Sequence, residues 1–200
     1  MHGVKLGGRG SFISDATKQK HLIESVIQPV LKRFGNERQV LAWEVINEPE
    51  WAMRIHRGKN STQWQIPRET MQGFVKEVVR TIHALARQPA TVGSAARHWL
   101  GLWQGCNLDI YQFHYYPNHE SRSPLASPAA RLGLSEPVVV GEFPTKSTSR
   151  SAQKHLEIVS AHGYAGALAW SMRGNDRYSD FQKAAKSMKE WREKRARKTP

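Results

Sequence analysis

The stretch "EPVVVGEF", residues 136–143, narrows the possible fold more than any other part of this chain. Three consecutive valines leave no alternation of apolar and polar faces, so the segment reads as a strand covered on both sides, the habit of parallel sheets packed against helices. It then runs into a carboxylate, Glu142. "LAWEVINEPE" at 41–50 behaves in the same way: Leu41, Ala42, Trp43, Val45 and Ile46 are followed by Asn47, Glu48 and Pro49, and the proline cannot continue the ladder. The C-terminal ends of parallel strands are where α/β folds bind ligands and do chemistry. Position alone makes Glu48 and Glu142 candidate functional groups.

Strands and helices take turns along the rest of the chain. Ser14 or Asp15 can cap a helix whose apolar positions Leu22, Ile23, Val26, Ile27, Val30, Leu31 and Phe34 follow helical spacing up to Gly35, with a kink at Pro29. A second helix starts at Pro67 and carries Met71, Phe74, Val75, Val78, Val79, Ile82 and Leu85 on one face. Strands are predicted around 39–47, 90–95, 108–116, 136–143 and 166–172, and further helices at about 149–162 and from about 177. Such alternation predicts a parallel sheet with right-handed connections and helices outside. No composition break marks a second domain, so one α/β domain over residues 1–200 is expected.

Charge does not redirect this reading. The net charge is +13 and the pI about 10.2, yet the last 18 residues alone hold eight basic and two acidic side chains, nearly half of the excess. That distribution predicts the solvated face of a terminal helix, with no specific nucleic-acid partner, since no nucleic-acid-reading motif accompanies it. No run has the apolar length of a membrane span, and "MHGVKLGGRG" lacks the apolar stretch of a secretory signal, so a cytoplasmic product is expected as written, and a secreted one if a longer N-terminus precedes Met1. The single cysteine, Cys106, allows no internal disulfide and reads as a small buried hydrophobe. No cofactor is implied, and no metal: the nine histidines include no His-Glu-x-x-His pair.

Several predicted strands finish in polar residues. His114 and Tyr116 follow "YQF", Glu142 follows "VVVG", and Trp170 follows "GALA". Because side chains alternate along a strand, His114 and Tyr116 share a side, as do Glu44, Ile46 and Glu48. With those sides facing inward, two glutamates, a histidine, a tyrosine and a tryptophan converge at one mouth. Two carboxylates across an aromatic-lined cleft suit glycoside hydrolysis, in which one protonates the leaving oxygen and the other attacks the anomeric carbon or directs a water to it. The same parity puts Glu44 inside, below Glu48, where a buried charge requires a partner.

These motifs also carry a resemblance. "VINEPE" resembles the strand-four Asn-Glu-Pro motif of clan A glycoside hydrolases, and "VVVGEF" their strand-seven nucleophile motif; "FHYYP" and "GALAW" are similar to strands six and eight, the nearest likeness being to family five, the cellulase and mannanase type of (β/α)8 TIM barrel. The resemblance covers about residues 39–172 and implies an incomplete barrel, strands four to eight with their helices, abbreviated at the N-terminus. It implies a retaining endo-β-glycanase acting on β-linked oligo- or polysaccharide, with Glu48 as general acid/base, Glu142 as nucleophile and Asn47 as a donor to the sugar 2-hydroxyl. His114 and Tyr116 would orient the carboxylates, Trp170 would form the platform under the bound sugar, and Trp51 and Trp64, in the loop after Glu48, are candidate substrate contacts. Trp43, Trp99, Trp103 and Trp191 are read as packing. The alternative is a catalytically inactive remnant that binds carbohydrate. Open barrel edges with an uncovered apolar face predict a homodimer.

Overall fold

The computed structural model describes residues 9–54, 65–174 and 176–196. Trp64 lies outside them. The chain divides into two compact units, Met1–Ala95 with Leu102–Ile110, and Ala96–Gly101 with Tyr111–Pro200. Five parallel strands follow the order β1-β2-β3-β4-β5: β1 is Trp43–Asn47, β2 Ala90–Ser94, β3 Tyr111–His114, β4 Val138–Pro144 and β5 Gly166–Trp170. Each expected strand is present, and most are shorter than their apolar run.

In the first unit, a short helix α1 (Ser11–Ser14) leads into α2 (Ala16–Leu22), whose first turn is capped by the Asp15 carboxylate accepting from the Thr17 and Lys18 amides at 3.0 Å. The helix widens into a π turn over Ile23–Ile27 before continuing as α3 (Gln28–Phe34). Pro29 explains the widening. It has no amide hydrogen, and its ring would press on the carbonyl one α-turn earlier, so the chain bonds the Gln28 amide to the Ile23 carbonyl instead. Roughly eight residues, rather than about seven, then complete two turns, which puts Ile23 and Leu31 on one buried side. The expected apolar face is corrected accordingly: Val26, Val30 and Phe34 lie exposed. Helix α4 (Arg68–Leu85) starts after Pro67 and buries Met71, Phe74, Val75, Val78, Val79, Thr81 and Ile82, packing on β1 and β2. Six of the predicted positions are buried; Leu85 is only half-buried, and Thr81, which was not predicted, is buried.

In the second unit, α5 (Ala152–Ala161) packs on β4 and β5, and α6 (Phe181–Ala196) on α5 and β5. Ser151 caps α5 by accepting from the Lys154 amide at 3.1 Å. Burial is graded across the strands: every residue of β2 and β3 is buried, whereas β1 and β5 contain no fully buried residue. Glu44 follows from that gradient. It is exposed on the half-covered β1, not enclosed as expected, and its carboxylate lies over Gly93 of β2, where a Cβ would come within 2.7 Å of it. Cys106 is buried, as expected, and burial pushes its thiol pKa up. Among the described residues no helix is long and apolar enough to cross a membrane.

Candidate active site

Glu48 directly follows β1 and adopts a left-handed backbone, φ 45° and ψ 50°. For a residue with a Cβ this conformation costs on the order of 1–3 kcal/mol and persists only where its surroundings over-determine it. Here the Glu48 amide donates to the Gly93 carbonyl at 2.6 Å, and Pro49, with its fixed φ, opens a 3-10 turn over Pro49–Ala52. The turn brings Trp51 back over the strand end, and its indole N–H donates to Glu48 Oε2 at 2.9 Å. Trp51 is 54% exposed beside the carboxylate it holds. Asn47, the last residue of β1, is exposed and stands opposite Gly93.

Beneath this turn lies a residue that the sequence did not single out. Glu50 has no solvent exposure. Its Oε1 accepts from the Ser94 hydroxyl at 2.5 Å and from the Trp103 indole at 2.9 Å, and its Oε2 accepts from the Ala95 amide at 3.0 Å. Trp103, expected to be packing, is therefore also a donor. The three partners of Glu50 stand 44, 45 and 53 residues away in sequence, so no local spacing could have disclosed the network.

Glu142 sits in the interior of the ladder formed by β3, β4 and β5 and stands opposite His114 in the register. The Tyr116 hydroxyl donates to Glu142 Oε2 at 2.7 Å, and His114 Nδ1 lies 3.4 Å from the same oxygen. His114 is almost wholly buried, at 2% side-chain exposure, while Glu142 keeps 14%. A buried histidine and a tyrosine hydroxyl therefore meet one oxygen of a carboxylate that keeps some access to solvent. Gly141 permits this: a Cβ there would come 3.0 Å from Gln112 Cδ and 3.4 Å from His114 Cδ2, pushing aside the side chains that flank Glu142.

The loop after β3 is held as well. Arg150 donates to both oxygens of Glu120, at 2.8 and 3.2 Å, and to the Tyr115 hydroxyl. The Arg150 bonds keep the Glu120 carboxyl below its ordinary pKa, and burial raises that of the Tyr115 phenol. Buried Tyr115 points away from the site, next to His155, so its neighbour Tyr116 is turned toward Glu142, where its ring also packs on Tyr178 at 4.9 Å. Trp170 ends β5 opposite Pro144. Its indole donates to Asp176 Oδ2 at 2.8 Å, which lowers the Asp176 pKa and fixes the ring from the side of the loop.

Two clusters of predicted site residues result, Asn47–Glu48–Trp51 in the first unit and His114–Tyr116–Glu142 in the second, with Trp170 at the end of the adjoining strand. His114 and Tyr116 were expected to orient the carboxylates in general; Tyr116 bonds to Glu142, His114 lies 3.4 Å from the same oxygen, and Glu48 is held by Trp51. Trp51 is thereby more than a surface contact.

No family model matches the chain. It is 23% identical over 197 residues to the mannan endo-1,4-beta-mannosidase of Mytilus edulis, an alignment covering 78% of this chain and 53% of that protein. The chain spans about half the length of the curated relatives it matches. Among solved structures, the endo-1,4-beta-mannanase from Eisenia fetida superposes with a TM-score of 0.74 at 22% identity, over 90% of this chain and 60% of that one. GH5_18 from Streptomyces cattleya, solved with GlcNAc, gives a TM-score of 0.63 at 13% identity, over 92% and 56% of the two chains. The five parallel strands and their helices therefore form part of a TIM barrel of the kind found in glycoside hydrolases.

Proposed function

We propose that this chain carries the catalytic strands of a retaining endo-β-glycanase of the family-five type, with mannan as its first candidate substrate. The observation that carries the reading is Glu142: a carboxylate on an interior strand, met on one oxygen by a tyrosine hydroxyl and a buried histidine, with 14% of its side chain exposed. A hydroxyl donor stabilises the charged carboxylate that a nucleophile needs. Glu142 attacks the anomeric carbon as the glycosidic bond breaks, and Glu48 gives its proton to the departing oxygen. Glu48 then takes a proton from water as that water attacks the same carbon and releases Glu142. Asn47 donates to the sugar 2-hydroxyl, Trp170 stacks beneath the ring, and Trp51 flanks the leaving-group side. The mannan preference is supported by the likeness to the mannan endo-1,4-beta-mannosidase of Mytilus edulis.

Retention requires the two carboxyl groups to work about 5–5.5 Å apart. The test is turnover of soluble mannan, glucan and aryl β-glycosides, with the anomeric configuration of the first-formed product read by NMR. Retained product supports the proposal. Inverted product overturns the mechanism, and saturable binding of β-glycans without any turnover supports the carbohydrate-binding remnant instead.

Tyr116→Phe isolates the orienting bond. Hydrogen bonds to charged groups contribute about 1.5–3 kcal/mol, so kcat should fall roughly 10- to 100-fold with KM little changed. A change confined to KM would show that Tyr116 binds substrate without serving Glu142.

Self-association belongs to the same reading. Leu41 beside β1 is 78% exposed, and Leu168 on β5 and Met172 just after it are 52% and 67% exposed, on the two strands that are only half-buried. Half-covered strands with apolar side chains invite pairing with another chain. A homodimer burying more than about 1,000 Å² is expected. Light scattering that reports a monomer at high concentration removes this expectation.

A further inference from the structure

We infer that Glu50 is the positioning residue of the acid/base centre, setting the turn that aims Trp51 at Glu48; this rests on the proposed role of Glu48. A buried carboxylate is expensive unless its oxygens are satisfied. Glu50 sits at zero exposure with three neutral donors, a hydroxyl, an indole and a backbone amide. An apolar side chain would fill the space at lower desolvation cost, so packing alone does not account for a charge there.

The donors supply the reason. Ser94 ends β2 and Ala95 follows it, while the Glu48 amide is held by Gly93 of the same strand. Glu50 thus ties the 3-10 turn to the strand segment that also holds Glu48, and Trp103 closes the network from the far side. Between the two tied residues the chain has no freedom to relax the left-handed backbone of Glu48. One residue beyond Glu50, Trp51 delivers its indole hydrogen to Glu48 Oε2. Loosening Glu50 therefore frees the indole first, and with it the orientation of the proton donor.

The experiment pairs two readouts on folded protein, with unfolding curves and circular dichroism recorded for every variant. The first needs no turnover: the Trp51 indole N–H resonance, assigned by its loss in Trp51→Phe, is displaced downfield by its carboxylate acceptor. In Glu50→Gln, which keeps shape and removes charge, that resonance should move toward its position in Glu48→Ala. Ser94→Ala, which removes a single donor, should shift it part of the way and keeps the test alive if Glu50→Gln does not fold. The second readout is leaving-group dependence. Glu50→Gln should lower kcat on a mannan or an alkyl glycoside at least 10-fold while changing the rate of the phenolate burst on a dinitrophenyl glycoside less than 3-fold, because in the first step only the poor leaving group needs a well-aimed proton. A merely structural role lowers both rates together, and an unmoved indole resonance in folded Glu50→Gln and Ser94→Ala overturns the inference. Absence of wild-type turnover would sink the glycanase reading while the resonance test still decides whether Glu50 positions Trp51.

Discussion

Glu142→Ala is expected to lower turnover by more than about 10⁴-fold on every substrate, including those with activated leaving groups. In the proposed mechanism the nucleophile takes part in bond making at the anomeric carbon, and no leaving group, however good, replaces it. Added azide should restore some rate, because the truncated side chain leaves space on the face from which Glu142 attacked. Azide entering there forms one new bond while Glu48 protonates the leaving oxygen, so the glycosyl azide must have inverted configuration. Product analysis by NMR checks this. A retained azide product from Glu142→Ala would mean that the roles of Glu142 and Glu48 are exchanged.

Glu48→Ala is expected to divide substrates by leaving group. General acid catalysis contributes roughly 10²–10⁴-fold, and that full loss should appear on mannan and on alkyl glycosides. A dinitrophenyl glycoside departs without a proton, so its first step should survive, and a burst of phenolate should precede slow hydrolysis of the glycosyl-Glu142 ester. Azide needs no general base. It should accelerate the second step and give a glycosyl azide of retained configuration, the product of two successive inversions. Burst kinetics and NMR of the azide product check the two halves separately. Equal loss on all substrates would place Glu48 outside proton transfer.

The apparatus around the two glutamates differs in how it is held. Tyr116 and His114 share one oxygen of Glu142, and His114 is buried beneath it, so that carboxylate is oriented by the sheet itself. Glu48 stands just past the end of a half-buried strand, in a left-handed turn, and is held by an exposed tryptophan. The difference suits the proposed roles: a nucleophile benefits from fixed donors, whereas an acid/base must gain and lose a proton in each cycle.

Much of this was legible in the residues. Period and composition placed all five strands, because an apolar run ending in proline or a charge has few other foldings, and the 3.6-residue spacing of α4 predicted six of its seven buried side chains. Glu48, His114, Tyr116, Glu142 and Trp170 stand in or just past strands by the same logic, since an apolar run stops where polar residues or proline begin. Misreadings arose where one local rule met another. The first helix carried an unbroken apolar stripe, but Pro29 forced a π turn that rotated Val26, Val30 and Phe34 out of the core. Parity put Glu44 inside, but burial depends on what covers a strand, and β1 is half-covered.

By itself, then, the sequence determined the kind of fold and the residues that stand at its strand ends, because periodicity and chain breakers act over a few residues. Only the tertiary structure decided which donor each carboxylate receives. Tyr116 reaches Glu142 across 26 residues, Trp103 reaches Glu50 across 53, and Trp51 meets Glu48 across the 3-10 turn that Pro49 opens. Hydrogen bonds are directional and short, so their pairing is settled by where the strands and turns finally lie, which no local pattern records.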